Sequence, residues 1–141
     1  MIRVEPYRDA QFDDIRALWL EAFPDDPPHN RAEVAIPAKL AVQPELLLVA
    51  VDGGEAVGTV MAGYDGHRGW LYSVAVRHTH RRSGIGKLLI AEAEQRLAQL
   101  GCTKVNLQVR AGNDAALAFY ARIGYVVDDV TSLGKRLDTT D

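Results

Sequence analysis

Val74-Ala75-Val76-Arg77-His78-Thr79-His80-Arg81-Arg82-Ser83-Gly84-Ile85-Gly86-Lys87 reads as the end of a strand, a short basic loop and the start of an amphipathic helix opened by two glycines. The first N–H groups of a helix have no partners inside it, and the macrodipole adds positive potential at that end. Glycine lets a bulky anion approach such a backbone, so the segment is a candidate pyrophosphate seat. Four Lys/Arg residues and no carboxylate lie between Arg77 and Lys87. Two familiar phosphate motifs fail on spacing. A P-loop needs glycine at 81 and Ser or Thr at 88, where the chain has Arg81 and Leu88. A dinucleotide fingerprint needs glycine at 89, which is Leu89, and a first strand rather than a fourth. Taken alone, Gly-x-Gly is a weak signal, and a plain helix start is the other reading.

Working outward, alternation predicts a short strand over Ile2 to Tyr7, and further strands are expected at Leu46 to Val51, an apolar run, and at Ala56 to Tyr64, Trp70 to Val76 and Lys104 to Arg110. Tyr125 to Val130 and Leu133 to Leu137 are expected to complete the sheet. Asp52-Gly53-Gly54-Glu55 predicts a hairpin, and Asp65 to Gly69 a second tight loop. Phe12, Ile15, Leu18, Trp19 and Ala22 recur at helical spacing after Asp9, a candidate cap. A second helix is expected over about Asn30 to Val42, kinked or shortened by Pro37. Ile85, Leu88, Leu89, Ala93, Leu97 and Leu100 form the stripe of a third helix that Gly101 stops. A fourth runs from about Asp114 to Ile123 and ends at Gly124. The order β-α-α-β-β-β-α-β-α-β predicts a mixed α/β domain, a single one over residues 1–141, with helices covering a central sheet.

With 141 residues, 48% hydrophobic and 25% charged, the composition is that of an ordinary globular domain and excludes a disordered tail or a collagen-like fibre. The longest apolar run, Leu46 to Val51, is too short to span a bilayer. No basic start followed by a long apolar stretch opens the chain, and its single cysteine, Cys102, fits a reducing cytoplasm. A net charge of −3 argues against a general nucleic-acid binder. That average is uneven: residues 1–65 carry five basic and twelve acidic residues, a balance of −7, and residues 66–141 carry eleven and seven, a balance of +4.

Arg81-Arg82-Ser83-Gly84-Ile85-Gly86 matches the Q/R-x-x-G-x-G/A signature of the GNAT N-acetyltransferase superfamily, after the fourth strand and opening the third helix. Downstream, Asn113-Asp114-x-Ala116-x-x-x-Tyr120-x-x-x-Gly124-Tyr125 resembles that family's second motif. His78 replaces a proline often found in the family. The resemblance covers essentially the whole chain. Gly58 to Met61, Gly63 to Gly69 and Ser132 to Leu137 look like its YpeA-type bacterial members. It implies an acetyl-CoA-dependent N-acetyltransferase that delivers acetyl to a primary amine by direct attack on the thioester. The alternative is a catalytically silent acyl-CoA sensor or interaction module of the same fold. A third reading, an unrelated nucleotide-phosphate binder, predicts ATP or NAD binding comparable to CoA.

On this resemblance, backbone N–H groups of Arg81, Arg82, Ser83, Gly84, Ile85 and Gly86 would hold the CoA pyrophosphate, with Arg82 and Lys87 adding charge. Val74 and Val76 would pair with the pantetheine arm, and the Val74 N–H would polarise the thioester carbonyl. Asn113 would bond the pantetheine, Ala116 belongs to the same motif, and Tyr120 would be the general acid that protonates the departing thiolate. The position where some members carry a basic glutamate is Trp70. Asp65, His67, Glu21 or a water chain remain as the base. His78 and His80 make a poor zinc site, and no metal is expected; Cys102 reads as a packing residue. Partners on this reading are acetyl-CoA and an amine acceptor, cationic if it meets Asp25 and Asp26 near His29, with a homodimer open. Neither nucleic acid nor a membrane is among them.

Overall fold

Apolar residues alternating along strands and recurring at three and four along helices build two faces that must be covered. In the computed structural model, which describes residues 1–138, they form two compact units. The first runs from Met1 to Gln108, the second from Val109 onward. In the first, β1 (Ile2–Pro6), β2 (Leu47–Asp52), β3 (Glu55–Tyr64), β4 (Gly69–Val76) and β5 (Val105–Leu107) stand in one sheet in that order. The first four are antiparallel neighbours, and β5 joins β4 in parallel. Gly53 at φ 60° and Gly54 at φ 88° close the β2–β3 hairpin, the positive φ at both central residues that a tight primed turn requires.

α1 (Phe12–Ala22) and α2 (Ala32–Leu40) cover one face, α3 (Ile85–Gln99) the other. Ile15, Leu18 and Trp19 of α1 and Ile36 of α2 pack with Leu47, Val49, Val51 and Ala75. On the opposite face, a Cβ at Gly58 would lie 3.0 Å from Leu89 Cδ1 and 3.2 Å from Ile85 Cγ2. Glycine at 58 is what lets α3 press against β3. Gly69 performs the same service at the other end of α3, since its Cβ would lie 2.8 Å from Cys102 Sγ. Cys102 is thus a packing residue whose thiol also donates to the Lys104 carbonyl at 3.3 Å.

Several expectations need correction. Asp9 opens a 3₁₀ turn, Asp9–Gln11, rather than capping α1; the Gln11 side chain accepts the Arg8 N–H at 2.8 Å instead. The second helix starts two residues late, because a separate 3₁₀ turn, Pro28–Asn30, precedes it, and Pro37 sits inside it. The α3 stripe runs through Ile90, while Leu88 and Leu100 are exposed. A helix turns 3.6 residues per revolution, so its buried face drifts off a fixed spacing. β5 pairs over only three residues. No strand forms among the described residues over Tyr125 to Val130 or Leu133 to Leu137. Val126, Val127, Val130, Leu133 and Leu137 are exposed, and without a backbone partner β-propensity alone does not make a strand. The second unit contains α4 (Asp114–Arg122), with Gly124 following it.

Candidate active site

β4 is paired unequally on its two edges. Toward β3 it pairs from Gly69 to Val76, but toward β5 only Gly69, Trp70 and Leu71 have partners. From Tyr72 onward that edge meets no further strand among the described residues. A bulge interrupts the other edge. Thr59 faces Ala75 and Met61 faces Tyr72, so Val60 alone opposes both Ser73 and Val74. Bulges bend a strand and re-aim its backbone, often beside active sites. Ser73 sits at φ 50°, a left-handed conformation that costs an L-residue about 1–2 kcal/mol.

Two hydrogen bonds hold that conformation. Thr59 Oγ1 donates to the Ser73 carbonyl at 2.8 Å and accepts from Trp19 Nε1–H at 2.8 Å. Thr59 is fully buried and Trp19 nearly so. Neither Thr59 nor Ser73 stood out in the sequence as functional, and Trp19 read only as an apolar helix position. One signal was available: a threonine in the apolar run of β3.

Beyond Val76 the chain is tied down before it turns. The Arg77 N–H donates to the Val57 carbonyl at 2.8 Å, and His78–His80 forms a 3₁₀ turn. Ser83 Oγ donates to the His80 carbonyl, and Arg81 Nε to the Val76 carbonyl at 3.3 Å. Arg82 at φ 64° and Gly84 at φ 84° are both left-handed, a geometry that gathers backbone N–H groups into an anion-binding concavity. Gly84 is the N-cap of α3, with no side-chain cap and no acidic residue in the first turn. The helix therefore presents its leading N–H groups with their positive potential intact. Arg81, Arg82, Ser83, Gly84 and Lys87 are exposed, whereas Ile85 is buried as the anchor of α3.

Of the base candidates, Glu21 joins this loop. Its Oε1 accepts both the His78 N–H and His78 Nδ1 at 2.8 Å, and Arg77 Nε lies 3.5 Å from Oε2. These bonds, the His78 N–H foremost, lower the Glu21 carboxyl pKa. Glu21 is engaged in fixing the loop head to the end of α1. His80 Nε2 contacts Asp52 Oδ2 at 3.1 Å, so each histidine has a carboxylate partner. No group of three metal-ligating side chains is assembled among the described residues.

Asp65 and His67 lie at the other end of β4. Asp65 Oδ1 accepts the N–H groups of Arg68 at 2.7 Å and His67 at 2.8 Å. Those bonds, Arg68 first, lower its pKa as well. Val74 is five residues along β4 from Gly69, about 16 Å at the rise of an extended strand, a gap for a water chain. Trp70, opposite Asn106 in the β4–β5 pair, supplies no carboxylate.

The acceptor side expected from sequence holds a small open depression, a cavity of about 20 Å³, lined among others by Trp19, Leu20, Phe23, Asp26, Arg16 and Arg31. Arg16 is paired with Glu33 at 3.4 Å. Asp25 and His29 are exposed.

In the second unit, Asn113 caps α4, its Oδ1 accepting the Ala116 N–H at 3.1 Å. That bond gives both motif residues a local structural role. Tyr120 is half-buried between two aromatic edges, with ring centroids 5.1 Å from Phe119 and 5.8 Å from Tyr125. Burial raises its pKa above the ordinary phenol value, so the hydroxyl is protonated at neutral pH.

A strand with one open edge and a bulge thus runs into a basic turn at an uncapped helix start, the strand–turn–helix arrangement the family resemblance led us to expect. Known proteins agree. The model of the Acetyltransferase (GNAT) family matches residues 12–125. An acetyltransferase of Sodalis glossinidius (strain morsitans) is 41% identical over 137 residues, 96% of each chain. Among solved structures, Ard1 from Thermoplasma volcanium superposes with a TM-score of 0.81 at 20% identity, over 90% of this chain and 84% of that one. The NatC complex bound to Gag peptide and CoA contains a chain that matches with a TM-score of 0.76 at 28% identity, over 89% and 84%. The chain belongs to the acetyltransferase (GNAT) family. It is an acetyl-CoA-dependent N-acetyltransferase.

Proposed function

We propose that this enzyme acetylates a cationic primary amine, with residues 1–141 acting as one catalytic domain, and that its donor site is built from backbone. The observation that carries the donor assignment is the pairing of β4, whose edge from Tyr72 to Val76 is open toward β5 and bulged at Ser73 and Val74. The co-substrate supplies an activated acetyl thioester. Val74 and Val76 pair with its pantetheine arm, and the Val74 N–H donates to the thioester carbonyl oxygen where negative charge develops. Losing such a donor costs about 10²–10³ in rate. The N–H groups of Arg81 to Gly86 bind the pyrophosphate, with Arg82 and Lys87 neutralising charge from the rim.

An amine of pKa around 10 is mostly protonated at pH 7 and must shed a proton before it attacks. Glu21 and Asp65 are both held below the ordinary carboxylate range by hydrogen bonds, so water passing the proton to bulk is the route we favour over either. His67 remains a candidate at the loop tip. Tyr120 donates its proton to the departing thiolate, a transfer the basicity of the thiolate must drive because burial raises the phenol's pKa. Asn113 and Ala116 hold the start of α4, and the family resemblance assigns Asn113 a bond to the pantetheine.

Asp26 beside the apolar walls of Trp19, Leu20 and Phe23, and Asp25 next to it, support a cation with an aliphatic body. A panel of amines at neutral pH, read by thiol release from acetyl-CoA, tests the acceptor class. Polyamines and lysine-bearing peptides should turn over, and a preference for neutral or anionic amines would overturn it. A homodimer belongs to the same reading, supported by the exposed apolar residues Val126, Val127 and Leu133. Light scattering should then give twice the 15.5 kDa chain mass; the chain mass itself would refute it.

A further inference from the structure

The bulge at Ser73 is kept open by a side chain on the neighbouring strand. The Ser73–Val74 peptide is trans, as are all the others described. In a trans peptide the C=O and the following N–H point in opposite directions. The Ser73 carbonyl is aimed at Thr59 Oγ1 on β3, 2.8 Å away, so the Val74 N–H points away from β3, toward the edge that β5 leaves open. Left to its own preference, Ser73 would not adopt φ 50°. A valine at 59 would fill the same space, and a regular ladder would need no hydroxyl there. The hydroxyl is in turn oriented by the Trp19 indole N–H, 2.8 Å away in a buried site. With that donor in place, the Thr59 proton has the Ser73 carbonyl as its acceptor.

We propose that Thr59 is a positioning residue, acting with Trp19: the relay Trp19 Nε1–H to Thr59 Oγ1 to Ser73 carbonyl turns one peptide plane and thereby aims the Val74 N–H at the thioester carbonyl. This rests on the donor role given above to Val74. It adds that the aim is set from α1 through β3, by Thr59, buried away from both substrates, and by Trp19, whose ring also lines the proposed acceptor cavity. A change at Trp19 on the acceptor-side helix would therefore reach the donor carbonyl through two hydrogen bonds.

The test uses acetyl-CoA labelled with carbon-13 at the thioester carbonyl, bound to the full chain without any acceptor, with affinity measured in parallel by calorimetry. In the natural protein the bound carbonyl resonance should lie downfield of free acetyl-CoA, the mark of a polarised carbonyl. Thr59→Val should return it toward the free value while the Kd stays within about threefold, less than 1 kcal/mol. Thr59→Ser should restore the shift, and Trp19→Phe, which removes the second donor together with part of the ring, should give an intermediate one. A Thr59→Val protein that binds and keeps the full downfield shift overturns the relay, as does a serine variant that fails to restore it. Should Thr59→Val not fold, Trp19→Phe decides, and an unchanged shift there overturns the proposal. An unshifted carbonyl in the natural protein overturns the role of Val74 itself, a distinct result from failure of the relay.

Discussion

The segment from Ser73 to Gly86 and the segment from Asn113 to Tyr125 hold their chemistry in different parts of the chain. In the proposed mechanism the first works through backbone N–H groups, whose conformation is set by the side chains of Thr59 at the bulge and Glu21 at the loop head and by the glycine at 84. In the same proposal the second works through a side chain, the Tyr120 hydroxyl, which the backbone only carries. The difference predicts how each region fails. Substitutions in the first should act by degrees, through geometry. In the second, one atom should decide nearly everything.

The largest effect is therefore expected at Tyr120. Tyr120→Phe keeps the ring between Phe119 and Tyr125 and removes only the proton donor. General acids contribute about 10²–10⁴-fold, so kcat should fall at least about 100-fold while calorimetric affinity for acetyl-CoA is maintained. Full activity in the phenylalanine variant would falsify the contrast, because the second region would then contribute packing alone.

A smaller and graded loss is expected at Gly84. A Cβ there meets no atom within 4 Å, yet φ is +84°, so alanine brings conformational strain without a clash. That strain is about 1–2 kcal/mol, or roughly a fivefold to thirtyfold loss. It should appear as weaker acetyl-CoA binding with kcat at saturation close to normal. Gly58→Val is the steric counterpart: its side chain would press on Leu89, Ile85 and the Ala75 carbonyl. Overpacking of that kind costs about 1–3 kcal/mol and should lower the melting temperature. If Gly84→Ala instead reduced kcat with affinity intact, the loop would be doing more than holding a phosphate.

How much of this the sequence carried follows the same division. Side-chain features were readable: the motif around Tyr120, the apolar face of α1, the Asp52–Glu55 hairpin, and the glycines that bound α3. Backbone geometry was readable only where glycine marks it. Gly84 was legible as the opening of α3, whereas the left-handed backbone of Ser73 and Arg82, neither of them glycine, gave no sign. A bulge is a miscount between two strands, and no single strand records it. The same holds for Tyr125 to Val130, whose valines have strand propensity but no paired neighbour among the described residues. Asp65 and Glu21 were candidate bases because a lone carboxylate near a loop looks available. Their hydrogen bonds to main-chain N–H groups, which reduce that availability, come from residues three and 57 positions away.

Asp65 offers the smallest expected effect and the sharpest use of it. Asn at 65 keeps an Oδ1 to accept the Arg68 and His67 N–H groups, so the turn survives while the titrating proton is lost. In the folded chain the Asp65 pKa is lowered, first by the Arg68 N–H and then by that of His67. A lowered carboxylate pKa stabilises the fold above its unfolded value and loses that contribution as pH falls through the folded one. Natural and Asp65→Asn proteins should thus differ slightly in melting temperature at pH 7, with the difference shrinking in acid. Turnover is the stronger discriminator. A carboxylate serving only the turn leaves the acidic limb of the kcat/KM profile in place when it becomes an amide. A general base would take that limb, and most of the rate, with it. An Asp65→Asn enzyme with an unaltered pH profile would assign the β3–β4 turn to the part of the molecule whose side chains serve its backbone.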